Sequence, residues 1–227
     1  MGELTGKPSS STLHIHPVTN SQRELGGHDN EISVISSEQA KKIFKGEFIS
    51  LAHRKQTARH QWHSDITFEP VPADYTILRL TQLPQTGGDT LWASGYDLYD
   101  RLSPPYQKFL DSLTATYSQP KFNAAADRNG FSIYAEPRGS PDNVGEELRA
   151  VHPVVRTNPV TGWKSVFAVG QHVEKVNDVT EEESKHLLQW FLQLIVENHD
   201  LQVRLKWKAE NDVGESSNRT LQACRPH

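Results

Sequence analysis

Runs of apolar residues predict several β-strands along the chain. Residues 75–83 carry apolar side chains on both faces, which predicts a strand that is covered from two sides. A turn at residues 84–88, rich in proline and glycine, separates this strand from a second extended run at 89–93. The other strands predicted from apolar runs and alternation are 151–156, 164–169 and 201–207.

Helical patterns lie between these strands. Ser94 can cap a short helix that ends at Leu102, and Ser103 followed by proline can start a second one. A third helix is predicted at 181–198, where Thr180 and Glu183 form a capping box ahead of one apolar stripe. The fold class is therefore predicted as mainly β with flanking helices (α+β), closer to a barrel or sandwich than to βαβ alternation. No repeat or linker divides the chain, so residues 1–227 are predicted to form a single domain.

Composition and charge narrow the function classes. The 227 residues include 24 Lys and Arg against 28 Asp and Glu, a formal charge of −4, which gives no reason to expect nucleic-acid binding. No apolar run reaches the roughly 18 to 20 residues that cross a membrane, and the first residues do not resemble a secretory signal. We therefore expect a cytoplasmic protein. The single cysteine excludes an internal disulfide, whereas the eleven histidines offer metal ligands and proton carriers.

The sharpest chemical signal is the segment Gln61-Trp-His63-Ser-Asp65. Residues i and i+2 of an extended segment project from the same face, so His63 and Asp65 can reach one point. An imidazole and a carboxylate form two-thirds of the 2-His-1-carboxylate triad that binds non-haem Fe(II) and leaves other positions open. His-x-Asp is weak evidence alone, and a zinc hydrolase is a further alternative that no His-Glu-x-x-His motif supports.

Five segments together resemble the taurine/sulfonate dioxygenase (TauD/TfdA-like) family. The resemblance covers about residues 11–213, in the order and close to the spacing of the family. The segments are His63-Ser-Asp-Ile-Thr-Phe-Glu-Pro70, Leu83-Pro-Gln-Thr-Gly-Gly-Asp-Thr-Leu-Trp-Ala-Ser94, Leu13-His-Ile-His-Pro17, residues 151–162 and Gln202-Val-Arg-Leu-Lys-Trp207.

The resemblance implies an Fe(II)- and 2-oxoglutarate-dependent dioxygenase with a double-stranded β-helix, or jelly-roll, barrel. By position in the family motifs, His63 and Asp65 match two iron ligands, and Thr90 matches the threonine that helps to hold 2-oxoglutarate. His16 matches a histidine that lies near the substrate. The implied reaction hydroxylates a small anionic, sulfonate-like substrate and releases succinate and CO₂. His152 is expected to be structural, as its motif is in the family.

The chain departs from the family pattern near its end. The position of the third iron ligand falls on Ala223, with Gln222 beside it, and His227 is a weaker candidate on a divergent tail at 214–227. The third ligand is therefore not identifiable, and the arginine that pairs with 2-oxoglutarate has no counterpart. We expect a barrel incomplete at its C-terminus and a chain truncated at both ends. A truncated, catalytically inactive family member is the alternative function, and an exposed strand edge would favour homo-oligomers.

Overall fold

The computed structural model describes residues 12–18, 31–36, 59–80, 82–208, 213–217 and 220–224, the last two by their backbone. Ten strands and four α-helices form within these residues. The strands are β1 (Tyr75–Arg79), β2 (Thr90–Ser94), β3 (Thr114–Ser118), β4 (Arg149–Pro153), β5 (Val155–Thr157), β6 (Lys164–Val166), β7 (Val173–Val176), β8 (Gln202–Leu205), β9 (Val213–Ser217) and β10 (Thr220–Cys224). The helices are α1 (Gly95–Asp100), α2 (Pro104–Asp111), α3 (Pro120–Asn129) and α4 (Glu181–Glu197).

All strand pairs are antiparallel. The strands pair in the orders β10-β2-β8, β4-β3-β7, β1-β9 and β5-β6. In the first of these sheets β2 lies in the centre, with Thr90 opposite Leu205 on one side and Cys224 on the other. The residues between the strands include all four helices, so the architecture is a mixed arrangement of small sheets and helices.

Helix α4 closes the main apolar core. Its buried apolar side chains, Leu187, Phe191 and Ile195, recur at helical spacing and pack in the same cluster as Trp62. The helix begins at a complete capping box, as predicted, because the Thr180 hydroxyl accepts from the Glu183 amide and the Glu183 carboxylate accepts from Thr180. Because Trp62 is part of this core, the backbone next to His63 is anchored in the protein interior.

The three predicted helices are confirmed, and the predicted strands are confirmed with shorter limits, except for β2, which is shifted by one residue. Ser94 caps α1 by accepting from the Asp97 amide at 3.1 Å, and α2 begins at Pro104. The run predicted at 151–156 is divided between β4 and β5. The break is at Val154, whose amide donates to the Leu113 carbonyl and not to a strand partner. Strands β3 and β7 and helix α3 were not predicted, because their short sequences carry too few large apolar residues to show a period.

The prediction that the strand at 75–83 is covered on both faces is wrong. Strand β1 ends at Arg79, and the side chain of Ile77 is 64% exposed. The alternate residues Tyr75, Ile77 and Arg79 are all exposed, so among the described residues nothing packs over this face of the two-stranded ladder of β1 and β9.

Residues expected to form a divergent tail include two strands. Strand β9 pairs with β1, and β10 pairs with the edge of β2 that faces away from β8. The incomplete barrel predicted at the C-terminus is therefore not confirmed. Among the described residues, no helix has the length and apolar character needed to cross a membrane.

Replacing Thr180 with alanine tests the capping box. The Thr180→Ala variant loses the acceptor for the Glu183 amide, so we expect a loss of about 1 kcal/mol in the free energy of unfolding. Urea denaturation followed by circular dichroism measures this change. Glu183→Gln keeps a side-chain acceptor for the Thr180 amide and should lose less stability. A Thr180→Ala variant as stable as the parent would show that the cap contributes nothing.

Candidate active site

His63 and Asp65 converge as the sequence predicts. Along this segment burial alternates, with Trp62 and Ser64 buried and the two polar residues partly exposed on the other face. His63 Nε2 lies 3.1 Å from Asp65 Oδ1. A turn follows directly, in which Ile66 adopts φ 47° and its carbonyl accepts from the Glu69 amide. A non-glycine residue in this backbone region stores strain, as residues at functional sites often do.

The Gln61 carbonyl fixes the protonation of His63. This oxygen can only accept, and it lies 2.6 Å from His63 Nδ1, so Nδ1 carries the ring proton. The lone pair on Nε2 then faces the Asp65 carboxylate, and two acceptors at this distance require a cation between them. That cation is either a second proton or a metal ion.

The electrostatics of the pair agree with this requirement. Burial lowers the pKa of His63, but the hydrogen bonds to Asp65 and to the Gln61 carbonyl outweigh it, so the pKa is raised overall. Burial raises the pKa of Asp65, but the hydrogen bond and charge of His63 outweigh it, so the pKa is lowered overall. The pair therefore favours an anionic carboxylate beside a positive charge.

The same geometry fits two ligands of one metal ion. Nitrogen and oxygen ligands at about 2.1 Å from an ion, set at a right angle, lie about 3 Å apart. The separation of 3.1 Å between Nε2 and Oδ1 matches this value. Within the described part of the chain, no group of three histidine, cysteine, aspartate or glutamate residues is placed to hold a metal.

Two further histidines and two phenylalanines lie beside the pair. The His172 ring meets the His63 ring edge-on at 6.1 Å between centroids, and Phe68 packs against His172 at 5.3 Å. Phe122 contacts Phe68 at 5.8 Å and His16 at 5.2 Å. Burial, reinforced by His14, lowers the pKa of His16 to about 4, so its ring is neutral near pH 7.

Thr90 lies on β2 and contacts a different set of residues. Its hydroxyl oxygen accepts from the Trp207 indole N–H at 2.9 Å, and both side chains are buried. The hydroxyl proton of Thr90 is therefore free to point toward another acceptor. The neighbouring Asp89 forms an ion pair with Arg204 across the sheet, which fixes the start of the strand.

The position expected for the third ligand lies on β10. In the register of the sheet Gln222 faces Trp92, Ala223 faces Leu91, and the next residue faces Thr90. This position is thus on the strand adjacent to the predicted co-substrate threonine. The weaker candidate, His227, lies outside the described residues.

A buried ion pair supports the turn after Asp65, and the sequence patterns gave no sign of it. Arg138 donates to both carboxylate oxygens of Glu69 at 2.6 and 2.9 Å, and the side chains are 1% and 0% exposed. His14 donates to the same carboxylate at 3.1 Å. Burial raises the pKa of Glu69, but the hydrogen bonds from His14 and Arg138 outweigh it, so the pKa is lowered overall. His152 has the structural role expected, since its Nε2 lies 3.0 Å from the carbonyls of Thr67 and Glu69.

Gly170 allows the chain to pass directly over His63. A Cβ at this glycine would lie 2.6 Å from His63 Cα and 2.6 Å from the Trp62 carbonyl oxygen. Its φ of +105° is also a conformation that other residues rarely adopt. The approach brings residues 170–172 against the segment that holds His63.

Neutralising Glu69 should destabilise the protein strongly. The Glu69→Gln variant leaves the Arg138 guanidinium buried without its counter-charge, so we expect a loss of about 3–5 kcal/mol in the free energy of unfolding. Denaturant unfolding measures this loss. The matched control Glu174→Gln removes one partner of an exposed pair with Arg149 and should change stability by less than about 0.5 kcal/mol. Equal effects of the two variants would contradict the role of the buried pair.

Substituting Gly170 should disturb His63 directly. The Gly170→Ala variant must move the backbone of His63, so we expect weaker Fe(II) binding as well as lower stability. Gly162→Ala is the matched control, because Gly162 has φ +73° but no atom within 4 Å of its added Cβ. Both variants carry backbone strain of about 1–3 kcal/mol, but only Gly170→Ala adds the collision. Calorimetric titration with Fe(II) and denaturant unfolding separate the two effects, and equal Fe(II) affinities would refute this account.

Known proteins resemble this chain in sequence and in fold. The model of the taurine catabolism dioxygenase TauD, TfdA family matches residues 12–222, which extends past residue 213. The chain is 48% identical to the alpha-ketoglutarate-dependent dioxygenase btcD of Neocamarosporium betae over 96% of its length, and 43% identical to esdpJ of Penicillium shearii, a protein of the same description, over 97%. It spans 64% and 66% of these two relatives, just under two thirds of each.

A solved structure shows the same likeness. The crystal structure of a taurine dioxygenase from Burkholderia xenovorans superposes with a TM-score of 0.61 at 26% identity, and the match covers 78% of this chain and 56% of that one. Sequence and fold therefore agree, and the chain belongs to the taurine catabolism dioxygenase TauD, TfdA family.

Proposed function

We propose that the chain is an Fe(II)- and 2-oxoglutarate-dependent dioxygenase that hydroxylates a small anionic, sulfonate-like substrate and releases succinate and CO₂. The observation that carries this proposal is the convergence of His63 Nε2 and Asp65 Oδ1 at 3.1 Å, with Nδ1 of the same ring bound to a carbonyl. Membership of the family and the descriptions of btcD and esdpJ support the same activity.

His63 Nε2 and Asp65 Oδ1 would hold the iron. The Gln61 carbonyl orients the imidazole so that its lone pair points away from the backbone, as such contacts do for ligating histidines. When bound, iron and 2-oxoglutarate would supply, with O₂ as the oxidant, the oxidative decarboxylation that drives hydroxylation of a C–H bond, one oxygen atom going to succinate and the other to the substrate. We assign no residue as the third protein ligand of the iron.

Thr90 would hold a carboxylate of 2-oxoglutarate. The Trp207 indole occupies one lone pair of the hydroxyl, and this directs the hydroxyl proton toward an anionic acceptor. Burial of Thr90 strengthens such a bond because water competes poorly there. The ion pair between Asp89 and Arg204 keeps the strand start in place.

His16 would contact the substrate. Its Nδ1 accepts from the Val18 amide at 3.1 Å, so the ring proton is on Nε2 and can be donated to an oxygen of the substrate. Taurine, named for the Burkholderia xenovorans structure, is a small sulfonate, and this supports an anionic substrate here. In a sulfonate substrate, hydroxylation of the carbon that bears sulfur would be followed by loss of sulfite and formation of an aldehyde.

Several predictions about the whole protein accompany this function. The jelly-roll barrel is supported by the likeness to the taurine dioxygenase structure and by the strand pairing around β2. A cytoplasmic location, the absence of nucleic-acid and membrane partners and self-association remain predictions from sequence. The likeness to named dioxygenases supports the active enzyme over the alternative of a truncated, inactive family member.

Anaerobic titration tests the iron site. We expect Fe(II) and 2-oxoglutarate together to produce a visible charge-transfer band in the purified protein, and His63→Ala to abolish it by removing one of the ligands. The matched control is His60→Ala, which removes an exposed imidazole from the preceding turn and should leave the band unchanged. A folded parent protein without the band would favour the inactive alternative. A band that survives in His63→Ala would show that the iron binds elsewhere.

A further inference from the structure

His172 is a buried imidazole that the family resemblance does not assign. It lies between Gly170 and strand β7, and only 6% of its surface is exposed. Its ring contacts the edge of the proposed ligand His63 on one side and Phe68 on the other. The residue therefore lies beside the proposed iron site.

Gln119 determines which nitrogen of His172 carries the proton. The Gln119 amide nitrogen lies 3.0 Å from His172 Nδ1 and can only donate, so Nδ1 accepts and the ring proton is on Nε2. Within the part of the chain that the structure describes, Nε2 has no hydrogen-bond partner. Nε2 is not among the buried polar atoms that lack a partner, so it keeps access to solvent and can donate to a bound ligand.

The position of His172 is held tightly. Its carbonyl accepts from the Ser118 amide at 2.8 Å, and Gly170 brings the preceding backbone against His63. Gln119 is itself buried, and its amide donates to the Leu148 carbonyl at 3.0 Å. The Nε2–H group is therefore a fixed donor on a rigid support, which is what precise recognition of a ligand requires.

The tautomer excludes two simpler roles. A metal ligand needs a lone pair on Nε2, and this atom carries a proton as long as Gln119 donates to Nδ1. A general base would need the same lone pair.

We propose that His172 is a specificity-determining residue, whose Nε2–H donates to an anionic oxygen of an organic sulfonate bound beside His63 and Asp65. This inference rests on the proposed function, because it assigns the substrate to the same site. Gln119 acts as the positioning residue, since its amide selects the donor tautomer. Phe68, packed against the ring, keeps the donor from turning away.

Binding of pentanesulfonate tests the proposal without turnover. We expect His172→Phe, which keeps an aromatic ring but removes the donor, to weaken binding by about 10- to 100-fold, the effect of losing one hydrogen bond to a charged group. His172→Gln should recover part of the affinity through its amide N–H. The matched control His186→Phe places the same change on the exposed face of α4 and should bind as the parent does. Calorimetry under anaerobic conditions measures these affinities in protein loaded with Fe(II) and 2-oxoglutarate.

Two further measurements separate the outcomes. In metal-free protein, ¹⁵N NMR should show a neutral His172 ring with its proton on Nε2. This resonance should move when pentanesulfonate is added. In the Gln119→Leu variant the spectrum should show a mixture of the two tautomers. The charge-transfer band should survive in His172→Phe. Loss of that band in a folded variant would make His172 a metal ligand and overturn the proposal.

The remaining outcomes are also decisive. Parental affinity in His172→Phe, or a parent that does not bind pentanesulfonate, would overturn the assignment of His172. The calorimetric titration is repeated on metal-free protein to separate the two proposals. If the parent forms no iron complex but binds the sulfonate through His172, the proposed function is refuted and the recognition by His172 still holds.

Discussion

The hydrogen bond from His63 Nδ1 to the Gln61 carbonyl is the constraint on which the site depends. It joins two residues of one short segment at 2.6 Å and leaves the lone pair of Nε2 directed at Asp65. A backbone carbonyl cannot rotate away as a side chain can, so the imidazole is oriented by the fold itself. Every chemical role that we assign to His63 follows from the nitrogen that this contact leaves without a proton.

Side chains from distant parts of the chain hold this segment in place. Trp62 is anchored in the core that α4 closes, and the ion pair of Glu69 with Arg138 ties the following turn to residues far along the sequence. Because Gly170 has no side chain, its backbone can pack directly against the backbone of His63. The segment itself has little regular structure, so these tertiary contacts replace the ladder of hydrogen bonds that would fix a strand.

Local patterns predicted the elements whose signals are local. The helix at 181–198 was predicted correctly because its capping box and apolar stripe both lie within the helix, and His63 and Asp65 were found because their spacing alone places them on one face. Strand β3 escaped prediction because its burial comes from pairing with β4 and β7, which no local period reveals. The pair of Glu69 with Arg138 and the contact of Gln119 with His172 join residues 69 and 53 positions apart, so only the folded chain brings them together.

The central position of β2 has a consequence for how the protein exchanges its ligands. Thr90 is on a strand with both edges paired, whereas His63 and Asp65 lie on a short irregular segment outside the sheets. Hydrogen bonds to two neighbouring strands hold β2, whereas the segment of His63 and Asp65 is held by the burial of Trp62, the ion pair of Glu69 and a β-bridge at His63, so it can move without separating the sheet. An ion bound by His63 and Asp65 would thus leave and return while the sheet that carries Thr90 stays paired. Metal exchange and global unfolding would then proceed at independent rates.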